Sequence, residues 1–506
     1  MAMSDKPNFL ILMVDQLSGV FFPDGPADFL KTPNLRALSD EAVSFRKAYC
    51  ASPLCAPSRV SFMTGQLPSK TGAFDNAAEF RSSLPTFAHH LRAAGYNTIL
   101  CGKMHFIGAD QMHGFEQRLT TDIYPADFGW TPNWLAAEDR IDWWYHNLGS
   151  VTGAGTAVTT NQLEFDDEVA YHAKLKLSQI ARQQTDRPFC LTVSFTHPHD
   201  PYVARQEYWD LYADDEVPMP DVAAIAYAEQ DAHSRRLMDL CDWRNHAVAE
   251  RHVRDARHAY FANVSYLDEQ IGEILQTLEA LRLADNTVII FCADHGDMLG
   301  ERGLWYKMSF FESSVRIPLM VHAPSMFASR SVDEPVSGLD PLPTLIELAG
   351  GAPADGLDGS SLVGLLGGGR EPARRIASEY AAEGAVEPMV MIVEGDWKYV
   401  LAETDGAQLF DLATDPTETR NLVGDPRHQA IESSMQKTVQ SNWDLSRFRN
   451  DVISSQQNRM AVDRALRTGA HTAWDFQPIQ VASERYMRNN LDLNQLEQTA
   501  RFPPQE

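Results

Sequence analysis

Residues 9–16 read FLILMVDQ. Six apolar side chains in a row are cut off by a carboxylate and an amide. An unbroken apolar run of this length predicts a strand over 9–14 buried on both faces, as in the interior of a parallel sheet. Three more runs share the pattern: 97–101 (NTILC), 189–195 (FCLTVSF) and 287–293 (TVIIFCA). Between them, 33–42 and 85–94 predict helices. The clearest helix covers 255–281, where Tyr260, Val264, Leu267, Ile271, Leu275 and Leu278 recur every three or four residues. Another covers 340–349 and is stopped by Gly350-Gly351. Strands alternating with helices predict an α/β fold with a large, mostly parallel sheet flanked by helices.

Such sheets form sites at the carboxyl ends of their strands. Asp15-Gln16 follows the first run, and Gly102-Lys103-Met104-His105 follows the second. The third leads into Thr196-His197-Pro198-His199-Asp200-Pro201. The fourth ends in Asp294-His295-Gly296-Asp297, with Lys307 shortly after. Any one of these could be a capped turn or a solvated lysine. Together they offer two carboxylates, an amide and an imidazole to a hard divalent cation, with Asp15, Gln16, Asp294 and His295 as candidate ligands. Lys103 and Lys307 can hold the oxygens of a tetrahedral anion. His105 and His199 can move protons.

The segment SPLCAPSRVSFMTGQ, residues 52–66, adds a nucleophile candidate. A cysteine is most often just buried. Here Cys55 opens a predicted helix whose first turn suits Pro57. A helix N-terminus favours an anion, and Arg59 adds a fixed, bidentate cation. This grouping suits an anionic ester.

The 506 residues exceed one ordinary domain, and 44% hydrophobic with 22% charged residues is globular composition. From about Gly350 to Arg374 the chain turns glycine-rich. After it, 389–393 and 397–401 flank Glu394-Gly395-Asp396 as a hairpin signal. The expected division is a catalytic α/β domain over 1–374, a smaller α+β domain over 375–450 and an extended, polar tail over 451–506 with little helical periodicity. A net charge of −26 disfavours nucleic acid and acidic membrane surfaces as partners. No run reaches membrane-spanning length, and the start lacks a signal-peptide cleavage site. The six cysteines show no zinc spacing, and Cys101, Cys190 and Cys292 fall in core strands. A reducing, cytoplasmic setting is expected.

These residues resemble the type I sulfatases of the alkaline phosphatase superfamily. Cys55-Ala56-Pro57-Ser58-Arg59 with Thr64-Gly65 is similar to their first signature, and Gly95-Tyr96-Asn97-Thr98 through Gly102-Lys103-Met104-His105 to their second. Asp294-His295-Gly296, Lys307-Met308-Ser309 and Leu409-Phe410-Asp411-Leu412 fit the same pattern. The resemblance implies that Cys55 is oxidised to Cα-formylglycine by dedicated modifying machinery. One hydroxyl of the hydrated aldehyde, activated by the metal, attacks sulfur as the alcohol leaves. Loss of a proton from the other then expels sulfate. It further implies Asp15, Gln16, Asp294 and His295, with the modified Cys55, around one divalent metal, Ca²⁺ first and Mn²⁺ or Mg²⁺ as alternatives. Arg59 and Lys103 would stabilise the diol, His105 would accept its proton, and Lys307 and His199 would hold the sulfate, with His199 protonating the leaving alcohol. Many members carry Asp-Asp in place of Asp15-Gln16 and Asn in place of His295. The Gln–His version resembles the choline-sulfatase and phosphonate-monoester-hydrolase branches.

Phe74-Asp75-Asn76, Asp127-Phe128-Gly129-Trp130, Trp143-Trp144-Tyr145-His146-Asn147, Glu379-Tyr380 through Glu383-Gly384 and the ending from Tyr486 to Asn494 resemble the choline-sulfatase branch. There the tail completes a neighbouring site in a tetramer. A quaternary ammonium is held by aromatic faces and carboxylates. The implied binding residues are Asn76, Trp130, Asn147 and Glu383, with Asp492 from the adjacent chain of a homo-oligomer. Aryl sulfates, phosphonate or phosphate esters, and a non-catalytic binding role stand as alternatives.

Overall fold

The strand Asn8–Val14 lies inside an eight-stranded sheet. In the computed structural model, which describes residues 6–137, 139–141, 146–182, 186–352, 354–371, 374–470, 472–479 and 492–502, the order runs as follows. Arg330–Val332, Val43–Phe45, Leu319–His322, Thr287–Ala293, Asn8–Val14, Phe189–Ser194, Asn97–Gly102 and Gln117–Arg118 succeed one another across the sheet. Among the described strands of this sheet, Leu319–His322 alone runs antiparallel to its neighbours. The four predicted strands form its adjacent parallel centre.

Their burial explains the unbroken apolar runs. Phe9, Leu10, Ile11 and Leu12 are fully buried. Each such side chain contributes about 1.5–3 kcal/mol on leaving water. Cys101, Cys190 and Cys292 are buried in the same sheet, as expected. The helices Asn161–Arg182 and Glu250–Ala280 pack against each other beside it. Pro33–Asp40, Phe87–Ala93 and Pro341–Leu348 match the other predicted helices within a few residues. No described helix is long and apolar enough to cross a membrane.

A second, antiparallel sheet joins Arg375–Tyr380, Met389–Glu394, Trp397–Ala402 and Gly406–Asp411. Gly395 turns its central hairpin at φ 61°. The helix Gln429–Asn442 covers one face, packing Met435 and Val439 on Val390, Ile392, Tyr399 and Leu409. Lys398 ties this sheet to the larger body. Its buried ammonium lies 2.9 Å from Glu312 and 2.7 Å from Glu418.

The chain after residue 444 departs from the expected low helicity. Leu445–Leu466 is a 22-residue helix. Its buried positions are Leu445, Phe448, Val452, Gln456 and Arg459, a regular helical face whose second half is polar. Hydrophobic periodicity therefore fades midway along a helix that is nonetheless docked. The Tyr486–Leu491 part of the ending falls outside the described residues.

Candidate active site

Register brings the four strand ends together. Val14 pairs with Ala293, Met13 with Ser194 and Gly102 with Ser194, so Asp15, Asp294 and Lys103 emerge at one edge. Gly102 makes this close approach possible. It sits at φ 103°, and a Cβ there would lie 2.0 Å from the Ser194 carbonyl oxygen. Gly296 serves likewise, since a Cβ would meet the Ser313 carbonyl at 2.1 Å.

The helix Cys55–Thr64 points its N-terminus into this cluster, and every residue in it is buried. Gly65 ends it in the left-handed conformation at φ 65°. Arg59 is the cluster's central cation. Its Nε donates to Asp294 Oδ2 at 2.8 Å and Nη2 to Asp15 Oδ2 at 2.8 Å. Nη1 donates to the Lys103 carbonyl at 2.6 Å and to Ser194 Oγ at 2.8 Å. Lys103 Nζ reaches Asp15 Oδ2 at 2.5 Å and stands 3.9 Å from Cys55 Sγ. Burial opposes the Asp15 charge, but Lys103 and Arg59 outweigh it and hold this carboxyl well below its usual range.

Asp15, Cys55, Asp294 and His295 each aim one donor atom at a common point, all within 4.8 Å of one another. The His295 tautomer fits a cation there. Nδ1–H donates to the Gly296 carbonyl at 3.0 Å, leaving the Nε2 lone pair 3.2 Å from Cys55 Sγ. Burial keeps this ring neutral. The donor set of carboxylates and a neutral imidazole suits a divalent metal.

Gln16 stands beside this group with φ 64°. Its Nε2 donates to Asp297 Oδ2 at 2.6 Å and to Asp200 Oδ1 at 3.3 Å, so Oε1 faces the Lys307 ammonium at 2.5 Å. Lys307 also donates to His199 Nε2 at 2.7 Å, while His199 Nδ1–H donates to the Asp200 carbonyl at 2.6 Å. Accepting from Lys307 at Nε2 requires the neutral ring, and burial with the nearby Lys307 charge holds it there. Tyr306 and Met308, on either side of Lys307, are left-handed at φ 65° and 71°. Backbone strain of this kind costs about 1–3 kcal/mol per residue and collects at functional sites. Bonds from Met308 N to the Pro53 carbonyl and from His233 Nε2 to the Met308 carbonyl hold the loop.

His105 is buried, and among the described residues neither ring nitrogen has a hydrogen-bond partner. Burial and the Lys103 charge lower it to about 3, so the ring is a free base at neutral pH. Cys55 is the reverse. Burial and Asp15 push its thiol up to about 12. It is no ready thiolate.

One cavity of about 480 Å³ opens onto Cys55 and Lys307. Asn76, Tyr124, Trp130, His146, His199, Asp200 and Glu383 also line it. Glu383 is buried, and among the described residues its Oε2 has no hydrogen-bond partner. Burial raises this carboxyl to about 7. Asn76 Oδ1 accepts from Ala56 N at 2.9 Å and so fastens the mouth of the Cys55 helix. Asn147 stands apart from the cavity lining; its Oδ1 caps Gly149 N at 2.8 Å. Asp492 is exposed and caps its own helix through Gln495 N. Trp143, Trp144 and Tyr145 lie outside the described residues.

The sequence reading missed Tyr124, whose ring lies 4.2 Å from Lys103 Nζ, and His146, whose Nδ1 lies 3.1 Å from Asp200 Oδ2. Tyr124 sits in a loop with no motif of its own, whereas His146 belongs to the stretch 143–147, which pointed to Asn147 instead.

The sulfatase family model matches residues 7–352. The chain belongs to the sulfatase family. A second model, for the choline sulfatase enzyme C terminus, matches 450–502 of this sulfatase, and the C-terminal model of N-sulphoglucosamine sulphohydrolase matches 300–444. The sulfatase is 56% identical to a choline-sulfatase from Rhizobium meliloti, covering 98% of this chain and 99% of that one. It is 29% identical to an uncharacterized sulfatase from Escherichia coli over 87% and 88% of the two chains. Its fold matches a phosphonate monoester hydrolase from Silicibacter pomeroyi with TM-score 0.69 at 22% identity, covering 87% and 96%. The sulfatase is thus a sulfuric ester hydrolase, and its family implies a formylglycine and a divalent metal.

Proposed function

We propose that this sulfatase hydrolyses choline-O-sulfate to choline and sulfate. The observation that carries the reading is the cavity's polarity. Cys55 and Lys307 line it together with a buried carboxylate, Glu383, and the Trp130 indole. A sulfate ester bearing a quaternary ammonium matches both features, since such a cation is held by aromatic faces and carboxylates. The 56% identity to a choline-sulfatase supports the same substrate.

The residues around Cys55 divide the work. Asp15, Gln16, Asp294 and His295 would hold the divalent ion, which we read as Ca²⁺ because three of the four donors are oxygens. Such an ion supplies Lewis acidity, and the formylglycine formed from Cys55 supplies a hydrated aldehyde as nucleophile. Arg59 holds Asp15 and Asp294 in place. Lys103, beside Asp15 and Cys55, stabilises negative charge on the nucleophile. His105 is the neutral base that takes a proton from it. Lys307 binds the ester oxygens and, with His199 hydrogen-bonded behind it, supplies a proton to the departing alcohol. Asn76, Trp130 and Glu383 complete the choline pocket in this reading, with Asp492 reaching in from an adjacent chain of a homotetramer.

The division into 1–374, 375–450 and 451–506 belongs to the same proposal. So does a reducing, cytoplasmic setting, which the six free, buried cysteines support. The reading is tested by calorimetric titration of choline-O-sulfate into a Cys55→Ala variant, which binds without turning over. Saturable binding displaced by choline is expected. Heat from an aryl sulfate but none from choline-O-sulfate would overturn it.

A further inference from the structure

The helix Leu445–Leu466 turns a polar end toward the cavity, and one arginine there does most of the joining. Arg459 is buried, and its fork meets Asp75 at both oxygens, Nη1 to Oδ1 and Nη2 to Oδ2, each at 2.7 Å. Nη1 also donates to Thr131 Oγ1 at 3.1 Å. Asp75 precedes Asn76, the residue that fastens Ala56 at the mouth of the Cys55 helix. Thr131 follows Trp130. Three positions earlier, Gln456 Oε1 accepts from Trp134 N at 2.9 Å, and the Trp134 indole N–H donates to the Ala382 carbonyl at 3.0 Å, next to Glu383. One turn of one helix is therefore bonded to the loops that carry Asn76 and Trp130 and, through Trp134, to the one that carries Glu383. Phe448 adds an apolar contact to Phe74, with ring centroids 5.6 Å apart.

We propose that Arg459 is a positioning residue that sets alcohol specificity, by fixing the Asn76 and Trp130 loops against each other across the cavity. The inference rests on the choline-O-sulfate reading. Its physical basis is geometric. A guanidinium fork spans two carboxylate oxygens and a hydroxyl in fixed directions, which a lysine ammonium cannot do. The cation and anion neutralise each other out of water, so the link is specific and breaking one side is costly. Arg459 touches no cavity atom itself. It acts through Asp75 and Thr131, whereas the charged cluster around Cys55 is held chiefly by the bonds of Arg59.

The test compares wild type with Arg459→Lys, and with the paired Asp75→Asn, Arg459→Gln variant, which removes both buried charges at once. Steady-state kinetics are measured on choline-O-sulfate and on 4-nitrophenyl sulfate. The expected result is a fall of about tenfold or more in the ratio of kcat/KM values, choline-O-sulfate over aryl sulfate, carried by KM for choline-O-sulfate. A parallel loss on both substrates, or a lowered melting temperature with the ratio unchanged, would show a purely structural link and overturn the inference. If the paired variant does not fold, Arg459→Lys decides alone. A wild-type enzyme that already prefers the aryl sulfate would overturn the substrate reading beneath it, which is a different failure from an unchanged ratio in the variants.

Discussion

Cys55 Sγ lies 3.2 Å from His295 Nε2. The sulfur stands where an oxygen nucleophile and a cation ligand would meet, and its thiol is pushed up to about 12 by burial and Asp15. A thiolate mechanism would need the opposite shift. Cys55→Ala should lower kcat by roughly four orders of magnitude or more, with the fold intact by circular dichroism. Near-normal turnover would remove the nucleophile from the account. Active wild-type protein should also show, by mass spectrometry, an aldehyde in the peptide containing residue 55.

Arg59 shields two carboxylates that would otherwise repel across the site. Removing it leaves Asp294 buried without its cation and Asp15 with Lys103 alone. Arg59→Met should cost about 3–5 kcal/mol of stability in urea unfolding, as does breaking a buried ion pair from one side. A cost below about 1 kcal/mol would mean that the cluster relaxes by taking up water or protons.

Chelation should act on binding as well as on turnover. Donor atoms of Asp15, Asp294, His295 and Cys55 converge within 4.8 Å of one another. Metal-free protein should melt at lower temperature and regain its wild-type melting point on addition of Ca²⁺. His295→Ala should weaken metal binding in calorimetry. An unchanged melting point with and without the ion would place the metal elsewhere.

The Glu383 carboxyl gives the choline pocket a pH dependence. Burial raises it to about 7, and a quaternary ammonium beside it favours the ionised form. The free enzyme binds a proton below that value, and the substrate cation must expel it. Affinity for choline-O-sulfate should therefore be full above pH 7 and fall by about tenfold per unit below it. Glu383→Gln should abolish this acid limb while weakening binding at pH 8. A limb that persists in Glu383→Gln would assign the titration to another group.

Much of the frame is legible in the sequence, because strands covered on both faces have no choice but unbroken apolar runs. The runs at 9–14 and 287–293 end at residues whose register then places Asp15 beside Asp294. Lys103 and His199 are found the same way. The choline side is less legible. Its loops carry no periodicity, so Tyr124 gave no signal and the stretch 143–147 pointed to Asn147 rather than to His146. The docking of Leu445–Leu466 was hidden because Gln456 and Arg459 replace apolar residues on its buried face. The bonds that orient Gln16, through Asp297 and Asp200, join residues far apart in the chain and emerge only in the fold.

The most direct test is sulfate release from choline-O-sulfate, measured beside an aryl sulfate and a phosphate diester at matched concentrations. The account predicts a kcat/KM dominated by choline-O-sulfate. Preference for the aryl sulfate or the diester would contradict it, leaving the Cys55 chemistry in place and the pocket of Trp130 and Glu383 without its cation.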